Sequence, residues 1–448
     1  MVKERNKSFI FYFFVALTFM MTSLFPSSGY AAESNILDLE AKSAILVDAK
    51  TGLILYEKDA ETALPTASMT KMMSEYLVLE AINNGKISWD QETGISEYVY
   101  KISQNRSLSN VPLRSDYQYN VKELYESMAI YSANGSTIAL AELIAGSETN
   151  FVKMMNEKAA ELGLENYKFV NSTGLNNQDL YGNHPDGTGA EEENLMSAKD
   201  TAKLAFHLLN DYPEVLDTAS IPKSVFRDGT DDRTEMPNWN WMLPTLSFAY
   251  EGVDGLKTGT TDLAGYCFTG TAEKNGVRLI TVVMKTNNYQ ERFGNTKKLL
   301  DYGFSNYEMQ EIVPEGFQVK EQETLPVVKG KDKEVEIEST NAISILMKRG
   351  EKELYQPVVT IDEKLLTTEG ALTAPVEKGT KVGTLTIEYT GENTLKFLTE
   401  KGDDLIKSDV VTTSNIEKSN WFVLFMQAIG GFFADIWTNA ADGIKGLF

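Results

Sequence analysis

Residues able to do covalent chemistry are scarce in this chain. Among 448 residues there are two histidines, His184 and His207, and one cysteine, Cys267. A single cysteine excludes an intrachain disulfide and a cysteine-cluster metal site. Two histidines leave little material for a zinc centre or a Ser-His-Asp triad. A serine can instead be activated by a lysine, if that lysine is neutral at least transiently, which requires partial burial or neighbouring cations. The pattern for such chemistry is Ser-x-x-Lys, then Ser-x-Asn, then Lys-Thr-Gly.

Each part alone is weak, since about two Ser-x-x-Lys matches are expected by chance in such a chain. Ser-x-x-Lys occurs at Ser68/Lys71 and Ser220/Lys223, and Ser-x-Asn at Ser103/Asn105, Ser132/Asn134 and Ser339/Asn341. Lys-Thr-Gly occurs at Lys50-Thr51-Gly52 and Lys257-Thr258-Gly259. Context chooses among them. Ser68 opens an apolar helix and Lys71 lies one turn on, so the two share a face. Pro222 breaks the helix that Ser220 and Lys223 would need. Ser132 and Asn134 fall in a tight break between two helices. Ser103 lies in a polar loop without such framing, and Ser339 lies in a β-rich region. Lys50-Thr51-Gly52 is a hairpin turn, whereas Lys257-Thr258-Gly259 begins a strand. The surviving set is Ser68/Lys71, Ser132/Asn134 and Lys257/Thr258/Gly259, in that order.

The elements that must position these residues follow from periodicity. Residues 44–57 read as two strands around a turn. Met69, Met72, Met73, Tyr76 and Leu77 recur with helical spacing. Further helices are expected over 121–130, 136–144, 150–162 and 197–209. Strands return over 255–260, 265–273 and 277–286, with Asn275-Gly276 as the hairpin turn. A helix near 295–304 closes the segment. Strands, a helical insertion and strands again describe one α/β domain over 32–310. Residues 311–411 alternate short Val/Ile/Thr runs with Gly-containing turns and read as a small all-β domain without chemistry. Residues 412–419 read as a polar linker.

Both ends of the chain suggest a membrane. Lys3, Arg5 and Lys7 precede an apolar run over 9–25 and a small-residue site near Ala31, so residues 1–31 read as a signal peptide. An uncleaved anchor is the alternative. From Trp421 onward, polar residues keep to one helical face and Phe422, Phe425, Met426, Ile429, Phe432, Phe433, Ile436 and Trp437 occupy the other. The uncharged stretch is short for a span and fits a helix lying in the interface plane, the alternative being a helix docked on the protein's own body. The net charge of −22 argues against a nucleic-acid partner.

At Ser68-Met-Thr-Lys71, Ser132-Ala-Asn134 and Lys257-Thr258-Gly259 the chain resembles the penicillin-recognising serine enzymes. It resembles most the low-molecular-mass penicillin-binding proteins that are D-alanyl-D-alanine carboxypeptidases. The resemblance extends through LPTASMTKMM, AIYSANGS, GVDGLKTGTTDLAGYCFTGTAEKNGVRLI and ERFGNTKKLLDYGF. It implies a β-lactamase/transpeptidase-like α/β (α+β) domain with a helical insertion, a β-rich domain and a C-terminal amphipathic helix. The implied substrate is a peptidoglycan stem peptide ending in D-Ala-D-Ala, with β-lactam antibiotics as covalent inhibitors. No metal or cofactor is expected. The implied place is the outer face of the bacterial cell membrane.

Roles follow from the same resemblance. Ser68 would be the nucleophile and Lys71 its base. Ser132 would relay a proton to the leaving D-alanine, and Asn134 would hold the peptide backbone. Lys257, with Thr258 and Gly259, would bind the substrate carboxylate and favour a neutral Lys71. The amides of Ser68 and Thr260 would form the oxyanion hole. Arg292 would meet the terminal carboxylate, or else form a surface ion pair. Cys267 reads as a core residue, His184 as a loop anchor, His207 as solvated or packed, and Glu191–Glu193 as a solvated face.

A class A β-lactamase would need a Glu four residues before an Asn, where Ala190 precedes Asn194, and an Asp where Ala133 stands. A transpeptidase differs only in the acceptor and usually carries other added domains. A non-catalytic wall-binding or penicillin-sensing protein would not need Ser68, Lys71, Ser132 and Lys257 intact.

Each apolar side chain of the tail is worth roughly 1.5–3 kcal/mol if fully buried, so a few suffice for attachment. Truncation before Ser419 should give a soluble protein with unchanged activity on a small peptide. Sedimentation of the truncated protein with membranes, or release of the full-length protein by salt alone, would contradict this.

Overall fold

The computed structural model describes residues 36–392, 394–399, 404 and 406–420. The expected signal segment and the amphipathic helix from Trp421 lie outside the described residues. The main compact unit begins at Glu40. No helix among the described residues is long and apolar enough to cross a membrane.

Five antiparallel strands form the central sheet. They are β1 (Ser43–Asp48), β2 (Ile54–Lys58), β3 (Val253–Thr261), β4 (Gly265–Lys274) and β5 (Val277–Thr286), in spatial order β3-β4-β5-β1-β2. The chain's first two strands thus pair with its later three, as the strand–insertion–strand pattern requires. Strand β1 is buried at every position, because both sheet faces are covered. On one face Ile45, Val47, Ile280, Val282 and Met284 join the large apolar core. On the other, Leu46 and Leu279 lie against Gly303 of a long helix, where an added Cβ would come within 2.5 Å of Leu279.

The insertion is helical: α1 (Lys71–Asn83), α2 (Glu97–Gln104), α3 (Val121–Tyr131), α4 (Asn134–Ala145), α5 (Glu148–Glu161), α6 (Ala198–Asp211) and the short α7 (Val215–Ala219). Helix α1 is buried almost all round, as expected of a helix apolar on every face. Helix α3 starts at a capping box, Asn120 with Glu123. Helix α8 (Tyr289–Asn306) begins six residues before the expected 295. Asn288 accepts the Glu291 N–H at 2.8 Å while the Glu291 carboxylate accepts from Asn287, so the cap fixes the earlier start.

Strand β6 (Tyr307–Val313) follows directly, so the β-rich part starts slightly before the expected 311. Strand β6 pairs with β9 (Ile343–Lys348). A six-stranded sheet combines β7 (Thr324–Val328), β8 (Glu334–Ser339), β10 (Tyr355–Ile361), β11 (Leu372–Thr373), β12 (Lys381–Tyr389) and β13 (Lys407–Thr412), in order β10-β12-β13-β8-β7-β11. Val335, Ile337, Ile345, Val382, Leu385 and Val410 fill its own core. Residues 412–419, read from sequence as a linker, are part of this domain. Ile416 is buried and exchanges two backbone hydrogen bonds with Val376, and the Ser419 N–H donates to the Lys329 carbonyl at 2.8 Å.

The β-rich domain also reaches the far edge of the central sheet. Leu53 bridges Phe397, the Ile54 N–H donates to the Lys396 carbonyl (2.8 Å), and the Leu398 N–H donates to the Gly52 carbonyl (2.9 Å). Leu398 enters the catalytic domain's core beside Gly52 and Phe206. Pairing covers an edge that would otherwise expose unsatisfied backbone. Leu398→Ala should cost about 2–5 kcal/mol, as a buried leucine truncation does. An unchanged denaturation midpoint for the catalytic domain would show that this clasp carries no stability.

Candidate active site

Ser68 does not lie in the helix itself. It sits half-buried in a 3-10 turn, Ala67–Thr70, which leads into α1 at Lys71. Ala67, just before it, has φ +46°. The turn is tied down by Thr66 Oγ1 and Thr70 Oγ1, 2.9 Å apart, and by Asn194, whose Nδ2 donates to Thr70 Oγ1 at 3.0 Å.

Lys71 is 0% exposed. Its Nζ is 3.0 Å from Ser68 Oγ, 2.7 Å from Asn134 Oδ1 and 2.7 Å from the Thr173 carbonyl. Burial pushes its ammonium well below the ordinary lysine range, and Lys257 adds to this, while Glu75 and Glu148 oppose it. A neutral amine has two N–H groups and one lone pair. Asn134 and Thr173 take the two hydrogens, which leaves the lone pair for the Ser68 hydroxyl proton.

Ser132 ends α3 in the left-handed region, φ +63°, where a non-glycine residue is strained. It is 3% exposed and its Oγ has no hydrogen-bond partner among the described residues. The strain is held by the next residues: the Asn134 N–H donates to the Ser109 carbonyl, and the Gly135 N–H donates to Asn110 Oδ1. Asn134, expected to hold substrate, also serves the site internally. Its Oδ1 accepts from Lys71 and its Nδ2 donates to the Ser109 carbonyl at 3.0 Å.

Strand β3 is an edge strand and carries Lys257, Thr258, Gly259 and Thr260. Gly259 lies against the turn that holds Ser68. An added Cβ would fall 2.4 Å from the Thr66 carbonyl oxygen, so only glycine allows this approach. Lys257 is buried, and its Nζ makes one long contact, 3.4 Å, to the Thr258 carbonyl. Burial lowers its ammonium, Glu75 raises it and Arg292 lowers it further.

Arg292 is 1% exposed, which overturns the surface ion-pair reading. Its Nη1 donates to Thr260 Oγ1 at 3.2 Å, its Nε has no partner among the described residues, and the rings of Phe293, Tyr289 and Tyr266 surround it. Burial lowers it to about 10. An early start to α8 is what brings Arg292 to this place.

A polar loop that sequence reading passed over completes the site. Residues 170–175 (VNSTGL) are buried. Asn171 Oδ1 accepts from the Thr173 and Gly174 N–H groups, Asn194 Oδ1 accepts from those of Val170 and Asn171, and Ser74 Oγ donates to the Ser172 carbonyl. Glu148 accepts from Ser172 N–H, Ser172 Oγ and Tyr98 OH. The run Asn-Ser-Thr-Gly was the available signal, but it reads equally as an exposed turn.

The rejected matches have structural places. Ser103 is buried against Gly135, Ser220 caps α7 while Lys223 starts a short strand, and the Thr51 hydroxyl donates to Asp48. His184 Nδ1 contacts Thr188 Oγ1 within its loop (3.1 Å), and His207 on α6 lies 3.7 Å from Asp211. Cys267 is buried in β4, its sulfur accepting the Lys285 N–H. Glu192 pairs with Lys168 and accepts the Gly189 N–H, so Glu191–Glu193 is more than a solvated face.

A half-buried serine beside a buried lysine, facing an edge strand with a second lysine, is the arrangement that a serine hydrolase with lysine as base requires. Comparison with known proteins makes the class specific. Residues 30–288 match the D-alanyl-D-alanine carboxypeptidase family and residues 307–418 match the C-terminal domain of penicillin-binding protein 5. The chain belongs to the D-alanyl-D-alanine carboxypeptidase family. It is 33% identical to the D-alanyl-D-alanine carboxypeptidase DacF of Bacillus subtilis over 90% of this chain and 96% of that one. With DacC of Escherichia coli the identity is 30%, over 92% and 91%. Among solved structures, a peptidoglycan synthesis regulatory factor, PBP3, of Streptococcus pneumoniae superposes with a TM-score of 0.70 at 36% identity, covering 84% of this chain and 99% of that one. An ampicillin-bound penicillin-binding protein D2 of Listeria monocytogenes gives 0.50 at 33% identity, covering 60% and 99%.

Gly174, at φ +82°, lies under the serine turn, and an added Cβ would fall 1.9 Å from the Ala67 carbonyl oxygen. Gly174→Ala should therefore displace Ser68, lowering both the melting temperature and the rate of acylation by penicillin. Gly294→Ala, in open space on α8, is the control and should gain about 0.5–1 kcal/mol. Equal behaviour of the two variants would contradict the packing argument.

Proposed function

We propose that the chain performs the carboxypeptidase reaction of its family through an ester on Ser68, removing the terminal D-alanine of a peptidoglycan stem peptide. The observation that carries this is the fully buried Lys71, 3.0 Å from Ser68 Oγ with its other two hydrogen-bonding directions occupied. Neutral Lys71 takes the hydroxyl proton as Ser68 Oγ attacks the penultimate carbonyl carbon. The amides of Ser68 and Thr260 receive the developing oxyanion. Ser132, whose Oγ has no partner among the described residues, relays the proton now held by Lys71 to the leaving nitrogen as the C–N bond breaks, which leaves Lys71 neutral again. Water then takes the space of the departed D-alanine and hydrolyses the ester, with Lys71 again as base.

Binding follows from charge and edge. Among the described residues strand β3 has no neighbour on its edge beside Ser68, and an extended peptide can add there by backbone pairing. Lys257 and Arg292, with Thr258 and Thr260, offer cations and hydroxyls to a terminal carboxylate. Asn134 keeps one amide hydrogen for substrate beyond its two internal bonds. A β-lactam presents a similar carbonyl and carboxylate, and a relative of this chain is known in an ampicillin-bound form. Export by residues 1–31 and attachment by the amphipathic tail would place the enzyme at the outer face of the membrane, where wall peptides are found.

Treatment with penicillin followed by tryptic mass spectrometry should locate the adduct on the peptide containing Ser68. The adduct should be released slowly, because its bulky acyl group stays where departing D-alanine would admit water. An adduct on Ser220, or rapid repeated turnover of penicillin, would overturn this reading.

A further inference from the structure

Residues 238–242 form a short bridge between three parts of the site. The Trp239 indole N–H donates to the Tyr131 carbonyl at 3.1 Å, and its ring stacks on that of Tyr131, with centroids 6.0 Å apart and planes 20° from parallel. Tyr131 is the last residue of α3, and Ser132 follows it directly. Next along the bridge, the buried Asn240 donates from Nδ2 to the Gly255 carbonyl at 3.1 Å, on β3 two residues before Lys257. Trp241 then packs on Tyr289 and Phe293, with ring centroids 4.8 and 6.0 Å away, and these are two of the rings around Arg292. The bridge is itself pinned. Asn238 is buried, its N–H donates to the Pro222 carbonyl, and its Oδ1 accepts the Asn240 N–H. Asn240 Oδ1 accepts the Met242 N–H in the same way. Two buried asparagines thus hold between them a tryptophan that is only half-buried.

This place has a chemical meaning on the reaction proposed above, and the inference rests on that reading. Ser132 serves the leaving nitrogen, while Lys257 and Arg292 meet the terminal carboxylate. Nitrogen and carboxylate are the two ends of one residue, the D-alanine that departs. The bridge joins the segments that carry those three side chains, so it borders the space of the departing residue. An indole is broad and rigid, and here its hydrogen bond and its stack fix the plane of the ring. A side chain so held is a fixed wall rather than an adaptable one. A methyl group fits against such a wall, whereas a longer branch must displace it. We propose that Trp239 is a specificity-determining residue that limits the terminal residue of the substrate to the size of alanine. The indole also satisfies a carbonyl at the end of α3, where helices leave such groups without partners. That is a structural duty, and its loss would affect all substrates alike.

The test is kcat/KM for release of the terminal residue from two diacetyl-L-lysyl peptides, one ending in D-Ala-D-Ala and the other in D-Ala-D-Leu. It compares the full-length protein with Trp239→Ala. The unaltered protein should strongly prefer the alanine peptide. The variant should move the ratio toward the leucine peptide by at least about tenfold, the lower end of what one methylene is worth in an apolar pocket. Trp239→Phe, which keeps a ring but loses the N–H, should stay near the original ratio. If Trp239→Ala shows no cooperative melt, Trp239→Leu, apolar and thinner, carries the same comparison. Equal handling of both peptides by the unaltered protein would overturn the role of Trp239. So would an equal fall in both rates that leaves the ratio where it was, since only the structural duty at α3 then remains. A ratio that moves as far in Trp239→Phe as in Trp239→Ala would assign the effect to the hydrogen bond and also overturn the wall. Failure to release either residue, with no penicillin adduct on Ser68, defeats the carboxypeptidase reading itself. An intact alanine reaction with an unmoved ratio defeats only Trp239.

Discussion

The rest of the site depends on keeping one amine out of water and uncharged within reach of a hydroxyl. Transferring a lysine ammonium to a protein interior costs several kcal/mol, and the group escapes that cost by losing its proton. A neutral amine is still polar, however, and must be satisfied. The structure satisfies Lys71 with Ser68, Asn134 and the Thr173 carbonyl, all of them neutral. Acids are kept from direct contact. Glu148 lies near enough to act on Lys71, but three donors from Ser172 and Tyr98 already engage its carboxylate. A carboxylate bonded straight to Lys71 would restore its proton and remove the base.

Those three partners come from three separate segments, and bringing them to one atom requires close approaches and strained backbone. Gly174 passes beneath the Ala67 carbonyl, Gly259 presses β3 against Thr66, and Gly135 packs on Ser103. Ala67 and Ser132 hold left-handed conformations without being glycine, each at a cost of order 1–3 kcal/mol. The surrounding core offsets this cost. Helix α1 is buried almost all round, so the serine turn at its head cannot relax by moving the helix.

Covalent chemistry was legible in the sequence because scarcity made it so. With two histidines and one cysteine, a lysine-activated serine was the remaining route, and context chose Ser68 over Ser220. The central sheet was legible because its strands are short apolar runs bounded by turns, with an Asn-Gly turn in its hairpin. Less was legible where a residue's environment is set by distant chain. Asn171, Thr173 and Asn194 look like turn residues, and only their burial beneath the serine turn makes them part of the site. Arg292 could be read as a surface cation until the Asn288 cap moved the start of α8 and turned it inward. Trp239 gave no signal at all, since a tryptophan among loop asparagines looks like surface packing.

The two edges of the central sheet are managed in opposite ways, and this asymmetry links stability to catalysis. Far from the site, β2 continues into Leu53 and is covered by residues 396–398 of the β-rich domain, with Leu398 sunk into the catalytic core. At the site, β3 has no further strand beyond it among the described residues, and its edge faces the serine turn. An open edge invites indiscriminate pairing, so proteins usually cover or charge it. Here the same open edge carries Lys257 and lies under Arg292, so two buried cations accompany the unpaired backbone. A neutral extended strand from another chain gains backbone bonds there but leaves those cations without a counter-charge. A peptide ending in a carboxylate provides both. On the proposed binding mode, the feature that makes the edge safe against neutral strands is the same one that would meet the substrate's terminus.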